Sequence, residues 1–521
     1  MVSTNITTAP PQPTTGLRYW MEQVLQQCAR AERDLAPDPV HDLRVALRRC
    51  RSLADGMIAL DSSPEWKKMK KAGRKLFQSL GQLRDLHVMI EWVEKLSPAA
   101  LPQSRAILDA PGPVETVDRD PAALALLTAF ASLEQEHRNV ARTALQTFDR
   151  KQWRQWSRGL PARAAHFRPG SPLFRHLALE RWTEARELHR RALHNRSQTA
   201  FHELRVGVKR FRYIVENFLP APHEDWGADL KQIQDVLGDV HDLDVLWATA
   251  SGMNVFPSAD SRRAWQLLIA EKRKRRLDLY HEKMVGPDSL WIRWRAGLPQ
   301  GAEVREIAIR RLRVWARGLD PDFVHSQCVA RLALELFDGL CARNLFAVDN
   351  TRDLRSSLLL AALLHDVGKS QGEKSHHKRS EELILAHGIP LGCSEEEIRR
   401  AALVARFHAG ALPTRRHKAL RDLLPDQQRV VIELTAVLRL ANALDVTHDG
   451  HVRRIQVRFE EGNSVPRGDR SYVIVAAEGY SAHSATAQAA AAERYLLETV
   501  VHRPVLVRPL LPSRLPAKRG S

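Results

Sequence analysis

Cysteine is scarce and scattered in this 521-residue chain: Cys28, Cys50, Cys328, Cys341 and Cys393 form no CxxC pair and no tight Cys/His spacing. That argues against a disulfide framework and suits a reducing compartment. No apolar run approaches the roughly 20 residues that span a bilayer. The longest, LLLAALL, covers 358–364. The first residues, MVSTNITTAPPQPTT, lack the basic start and apolar stretch of a secretion signal, so 1–15 reads as a disordered leader. A cytoplasmic protein without membrane insertion is expected. Aromatic residues make up only 6% and are not interleaved with the basic segments, which weighs against base-stacking platforms for nucleic acid. Positive charge is abundant: 79 lysines and arginines against 61 acidic residues leave a formal charge of +18. Such an excess implies an anionic partner.

One basic segment is written twice. HDLRVALRRCR at 41–51 and HELRVGVKRFR at 202–212 share six of eleven residues, 161 positions apart. At about 100° per residue, Leu43, Ala46, Leu47, Cys50, Ala54 and Met57 form one apolar helix face. Leu204, Gly207, Val208, Phe211, Val215 and Phe218 repeat it. His41, Arg44, Arg48 and Arg51 form a separate arc, matched by His202, Arg205, Lys209 and Arg212. A second matching pair follows, LGQLRDLHV at 80–88 and LGDVHDLDV at 237–245, and Lys67, Lys68, Lys71, Arg74 and Lys75 precede the first at helical spacing.

The expected fold class is mainly α, with about three domains for a chain of this length. Two duplicated helical bundles fill 16–300 (about 16–150 and 151–300), with proline-rich connections at 97–121, 161–172 and Leu298-Pro299. A further helical domain covers 301–450. Candidate strands at 455–459, 472–478 and 504–510, with a helix near 482–500, make a small α+β element over 451–512, and 513–521 is a basic tail.

Arginine forks bind phosphate oxygens bidentately and lysine acts as a mobile point charge. Facing stripes of both would bind a phosphate chain largely by counterion release. The plainer alternative is a solvated helix face. Residues 16–300 resemble the CHAD (conserved histidine α-helical) domain, whose H-x-L-R-V-x-x-[RK]-R and L-G-x-x-R-D-x-D-V signatures each occur twice here. The resemblance implies an all-α, two-bundle fold that binds inorganic polyphosphate in a basic groove. By position it implicates His41, Arg44, Arg48, Arg49, Arg51, Lys67, Lys68, Lys71, Arg74, Lys75 and Arg84, together with His202, Arg205, Lys209, Arg210 and Arg212. His87 stands where that pattern has Asp, and His241 where it has Arg.

The apolar stretch LLLAALLHDVGKS (358–370) ends by presenting His365 and Asp366 side by side, a pair able to reach one divalent cation. Around it lie His325, His376 and His377, His408 and Asp445. The ordered series His325, His365-Asp366, His377, His408, Asp445 resembles the ligands of an HD-superfamily phosphohydrolase, with His376 competing for the place of His377. Residues 301 to about 515 resemble the C-terminal region of the exopolyphosphatase/guanosine pentaphosphatase family, through HSQCVARLALELFDGL, LLLAALLHDVGK, HHKRSEELI, LVARFHAGALP and LRLANALD. That family's N-terminal catalytic module is missing.

The resemblance implies metal-assisted phosphate-bond hydrolysis with one or two divalent ions, among which Mn, Mg, Fe and Zn are not distinguished. Asp366 would bridge the metals and Lys369 would neutralise charge on the phosphate; Arg331, Lys374, Lys378 and Arg406 are either further phosphate contacts or, taken singly, solvated surface charges, the latter being favoured. Inorganic polyphosphate is the expected partner, with association to polyphosphate granules as a corollary. A phosphorylated nucleotide such as guanosine tetra- or pentaphosphate, or a non-catalytic granule scaffold, are the alternatives.

Overall fold

The computed structural model describes residues 16–97, 120–346, 351–461 and 471–510. The expected leader, most of the connection at 97–121 and the basic tail lie outside the described residues. The chain divides into two compact units, Met1–Gln300 and Gly301–Ser521. No helix among the described residues is long and apolar enough to cross a membrane.

The first unit is helical throughout: α1 (Leu17–Arg33), α2 (Pro37–Ile58), α3 (Pro64–Ser79), α4 (Gly81–Leu96), α5 (Pro121–Thr147), α6 (Arg150–Ala164), α7 (Pro172–Asn195), α8 (Gln198–Phe218), α9 (Pro220–Gly252), α10 (Ala259–Met284) and α11 (Leu290–Ala296). Five of these helices open on proline, whose fixed φ suits the first helical position and whose missing N–H costs nothing there. The two apolar faces read from the repeat, Leu43 to Met57 and Leu204 to Phe218, are buried in α2 and α8.

The duplication is visible in the packing. The pair α1–α2 matches α7–α8, and α2–α3 matches α8–α9. One uninterrupted 33-residue helix, α9, replaces the α3–α4 pair. The copies meet where α2 packs on α8 and α4 on α9. At Gly56 a Cβ would stand 2.3 Å from the Phe218 ring, so the close approach of α2 and α8 needs glycine there.

Helix α6 falls within the second half of the sequence division at 150, yet it packs against α1 and α3 of the first. The indole of Trp153 donates to Met21 O (3.0 Å), and Arg163 grips Asp61 through Nε (2.7 Å) and Nη2 (2.6 Å). Helix α11 plays the same part in the second half, packing on α7 and α10, with Trp294 5.6 Å from Phe211. The sequence carries this third repeat: WRQWSRGLP at 153–161 and WIRWRAGLP at 291–299. Each bundle is thus closed by its own two-tryptophan clasp.

The second unit contains α12 (Ala302–Arg317), α13 (Phe323–Cys341), α14 (Thr351–Leu364), a 3₁₀ turn (Val367–Gln371), α15 (His376–His387), α16 (Glu395–Arg406), α17 (Pro425–Ala443), β1 (Arg454–Glu461), β2 (Ser471–Glu478), α18 (Ala485–Val501) and β3 (Val505–Pro509). Strand β2 is central, antiparallel to β1 (Ile455 opposite Ala477) and parallel to β3 (Val473 opposite Val505). One apolar core runs from Leu312 to Val505, so the helices and the small sheet share it. At Gly339 of α13 a Cβ would come within 2.5 Å of Val457, which lets β1 lie directly on that helix.

Candidate functional site

In the first unit, the repeated cationic arcs lie on two helices that pack together. Lys209 is crowded by Arg48, Arg205, Arg44 and Arg51; burial first, then this repulsion, pushes its ammonium down to about 7. The same crowding surrounds Arg44, lowered to about 10 by burial and by Arg48, Arg84 and Arg205. Its guanidinium lies 4.0 Å over the Phe77 ring and donates to Phe77 O (2.8 Å). His41 is lowered by burial and by Arg84 and Arg48. His202 Nδ1 approaches His241 Nδ1 (3.2 Å), and His241 is lowered to about 4 by burial, Arg205, His202 and Lys209. Among the described residues, Arg44, Arg48, Arg51, Arg205 and Lys209 form no salt bridge. Asp85 and Asp242 offset part of the charge on Arg44, Arg84 and Arg205, and the cluster keeps an excess of positive charge.

Other expected residues lie elsewhere. Arg49 and Arg212 converge on Glu216, with Arg49 Nη1 2.5 Å and Arg212 Nε 3.7 Å from its carboxylate. Arg210 bonds Glu184 at 2.6 Å. These three arginines thus each face a carboxylate, unlike Arg44, Arg48, Arg51, Arg205 and Lys209. Lys67, Lys68, Lys71, Arg74 and Lys75 stand exposed along α3, with Lys68 paired to Glu65 at 2.7 Å. Arg84 bonds Glu91 at 3.2 Å. His87 is buried against α5, 3.4 Å from Glu134.

In the second unit, three imidazoles share one device. The Nδ1 of His365, His376 and His408 each donates to the carbonyl three residues earlier: Ala362 (2.8 Å), Glu373 (2.9 Å) and Ala405 (2.6 Å). That fixes the tautomer and leaves each Nε2 as a lone pair. All three Nε2 atoms point at Asp366, and the bond to its carboxylate raises the pKa of His376. His365 Nε2 is 3.4 Å from Oδ2, while His376 Nε2 and His408 Nε2 are 3.2 and 3.5 Å from Oδ1. The two latter nitrogens are 3.1 Å apart. His365 Nε2 and Asp366 Oδ1 are buried without hydrogen-bond partners. Burial would raise the Asp366 carboxyl, but the surrounding imidazoles hold it far below the usual carboxylate range. Burial holds His408 well below the ordinary imidazole value.

The backbone builds this convergence. In HDVGK, Gly368 is required because a Cβ there would lie 2.1 Å from His376 O. Ser380 of α15 locks the turn, accepting from Gly368 N (2.9 Å) and donating to His365 O (2.6 Å). Ser375, at φ +60°, turns the chain so that α15 starts on His376. Lys369, one turn beyond Asp366, places Nζ 2.6 Å from Oδ2.

His325 forms a second grouping with His365 and Asp366, and His376 and His408 form another with Asp366, each with potential ligand atoms within 4.8 Å of one another. Asp445 is nearly fully buried, and its Oδ2 lies 2.8 Å from His325 Nδ1. His376 takes the inner position, so the assignment of His377 as the ligand is corrected. His377 sits instead beside Gly410, whose Cβ would meet its ring at 3.2 Å. Arg331 bonds Val452 O (2.9 Å) and Arg406 pairs with Glu381, so both are tied into the scaffold, while Lys374 and Lys378 are exposed. Two neighbours escaped the sequence reading. Asn442 Oδ1 lies 2.9 Å from His325 Nε2, and His448 stacks on the His325 ring at 3.8 Å and 7°. Asn442 sits in the LRLANALD stretch, one helical turn before Asp445, and His448 follows Asp445 by three residues.

Residues 17–251 match the family model described as the CHAD domain, and 304–485 match Ppx/GppA phosphatase, domain III. The chain joins a CHAD domain to a Ppx/GppA phosphatase domain III. The matched domain III is not the catalytic part of that phosphatase family. A solved CHAD domain from the plant Ricinus communis is similar over 51% of this chain and 88% of its own, at 19% identity and a TM-score of 0.38. None of the curated proteins compared matches. The duplicated cationic cluster lies within the CHAD domain, and every convergent histidine and carboxylate lies within domain III.

Proposed function

We propose that the CHAD domain captures inorganic polyphosphate and that the histidine–aspartate centre of the second unit hydrolyses phosphate bonds with one or two divalent metal ions. The observation that carries the catalytic half is the approach of three Nε2 atoms to one ionised carboxylate, with each ring's Nδ1 held by a backbone carbonyl. Two lone pairs 3.1 Å apart repel unless a proton or a cation stands between them, and a borderline divalent ion suits mixed imidazole and carboxylate donors. The residues present therefore fit a metal. His365, Asp366, His376 and His408 would hold it, and His325, grouped with His365 and Asp366, would join them only on releasing Asn442 from its Nε2.

Bound there, such ions supply a Lewis acid and a water acidified from about 16 toward 7. The rest falls to the chain. Backbone carbonyls at 362, 373 and 405 keep the three rings oriented. Asp445 and Asn442 grip both nitrogens of His325. Lys369, whose bond to Asp366 outweighs its burial and raises its pKa, stays cationic and can neutralise charge on a phosphoryl oxygen. The unpaired cations of the CHAD domain would hold the polymer, which would also place the protein at polyphosphate granules.

The absence of the phosphatase family's catalytic part supports one rival, a granule protein that binds metal without turnover. Phosphate release from long-chain polyphosphate with added manganese, native against Asp366→Ala, separates the two. Release that falls at least about 100-fold in the variant is expected. No release from the native chain on polyphosphate or on guanosine tetra- and pentaphosphate would remove the hydrolase and leave the scaffold.

A further inference from the structure

The turn that carries His408 is not held by its own helix alone. Helix α16 ends at Arg406, and its last carbonyls need partners outside the helix. Arg439 of α17, almost fully buried, supplies two: its Nη1 donates to Phe407 O (3.0 Å) and Gly410 O (3.3 Å), on either side of His408. The opposite edge of the same guanidinium is clamped by Glu493 of α18, with Nε to Oε2 at 2.6 Å and Nη2 to Oε1 at 3.1 Å. A planar fork held on both edges has almost no freedom to rotate, and a lysine could not reproduce it.

Helix α18 also reaches the opposite wall of the centre. Thr486, fully buried, lies 3.3 Å from His451 Nε2. His451 belongs to the loop after Asp445, where Gly450 N donates to Asp445 Oδ1 (2.9 Å). One helix thus braces the His408 turn and the Asp445 loop. The span matched by domain III stops at residue 485, the first residue of α18.

We propose that Glu493, acting through Arg439, is a positioning residue for His408, so that α18 forms a working part of the metal centre. This rests on the metal reading above. Removing the carboxylate leaves the guanidinium free to tilt, and the two carbonyls it holds would let the His408 turn drift from the convergence point. Outer-shell partners of metal ligands typically contribute about 10- to 100-fold in metal affinity.

The test uses the full chain and cobalt(II), followed by visible absorption, comparing native protein with Glu493→Gln and Arg439→Lys. Glu493→Gln keeps shape and one acceptor, so it folds even where Arg439→Lys does not. The expected result is cobalt affinity about 10-fold or more weaker in Glu493→Gln. The second readout needs no metal: ring ¹⁵N signals of His408, which report a single Nδ1–H tautomer in the native chain and a mixture in the variant. A purely structural role would lower the urea midpoint and leave both readouts alone. Cobalt affinity within twofold of native, with an unchanged His408 ring signal, overturns the inference. Native protein that binds no cobalt overturns the metal reading instead, and the ring signal still decides whether Glu493 positions His408.

Discussion

In the CHAD domain, Arg44, Arg48, Arg51, Arg205 and Lys209 crowd together with no salt-bridge partner among the described residues, whereas in the second unit three imidazole lone pairs crowd around one carboxylate. In the first cluster the cations outnumber the carboxylates near them, Asp85 and Asp242, and in the second Lys369 is the cation that reaches Asp366. Burying or crowding charge without its counterpart is costly, so each cluster is strained toward a ligand of opposite sign. On the proposed reading, a phosphate polymer would satisfy the first and a metal the second. The difference also separates their tolerance: the cationic cluster shares its work among several side chains, while the metal centre depends on each ring singly.

The sharpest way to break that contrast is at the adjacent histidines. His376→Asn removes a ring whose Nε2 lies 3.2 Å from Asp366, and divalent metal affinity is expected to fall by about 100-fold. His377→Asn removes a ring outside the convergence and should change affinity by less than about threefold. Calorimetric titration with manganese checks both, and equal losses would show that the two rings exchange places.

On the cationic side, Arg205→Ala with Lys209→Ala should weaken polyphosphate binding by about tenfold and reduce the slope of log affinity against log salt by roughly two. The same double change at Arg49 and Arg212 should reduce the slope by less, because Glu216 offsets one of their two charges. A slope that responds equally to both pairs would dissolve the distinction between groove and scaffold.

These distinctions mark where the sequence was readable. The buried faces of α2 and α8 followed from 3.6-residue periodicity, because core packing imposes that spacing locally. The tryptophan clasp at 153–161 and 291–299 repeats as well, but it is short, and its two arginines per copy do not stand out beside the basic repeat. As a result α6 was assigned to the wrong bundle. His376 and His377 differ by one helical step, and only the left-handed Ser375 decides which faces Asp366. The pairing of Arg49 with Glu216 spans so much chain that no local pattern signals it. Long-range partners are set by tertiary packing, not by spacing.

Lys209 adds a dependence on pH. Its ammonium, pushed down to about 7, is charged at pH 6 and largely neutral at pH 8. Asp242, raised to about 6 by burial against the pull of Arg205, gains negative charge over the lower part of the same range. Both changes weaken attraction for phosphate as pH rises. Polyphosphate affinity should therefore fall severalfold, at most about tenfold, between pH 6 and 8. Lys209→Arg should flatten most of that fall, and a profile unaltered by this change would place the titration elsewhere.

The smallest effect concerns how the two bundles are closed. In the first, the clasp is polar: Asp61, 9% exposed, accepts both Arg163 bonds and one from Trp66 Nε1 (2.8 Å). In the second, Gly297 lies against Trp226, where a Cβ would come within 2.5 Å. Burial alone would raise the Asp61 carboxyl, but the bonds from Arg163 and Trp66 outweigh it and hold it below its ordinary value. A depressed folded-state pKa means stabilisation that is present above about 3.9 and is lost as pH falls through the folded value. With Arg163 half-exposed, Asp61→Asn should cost only about 1 kcal/mol at pH 7, and less at pH 3. Urea midpoints of native and variant chains at the two pH values measure the difference. A gap that persists undiminished at pH 3 would mean that the shape of Asp61, not its charge, closes the first bundle.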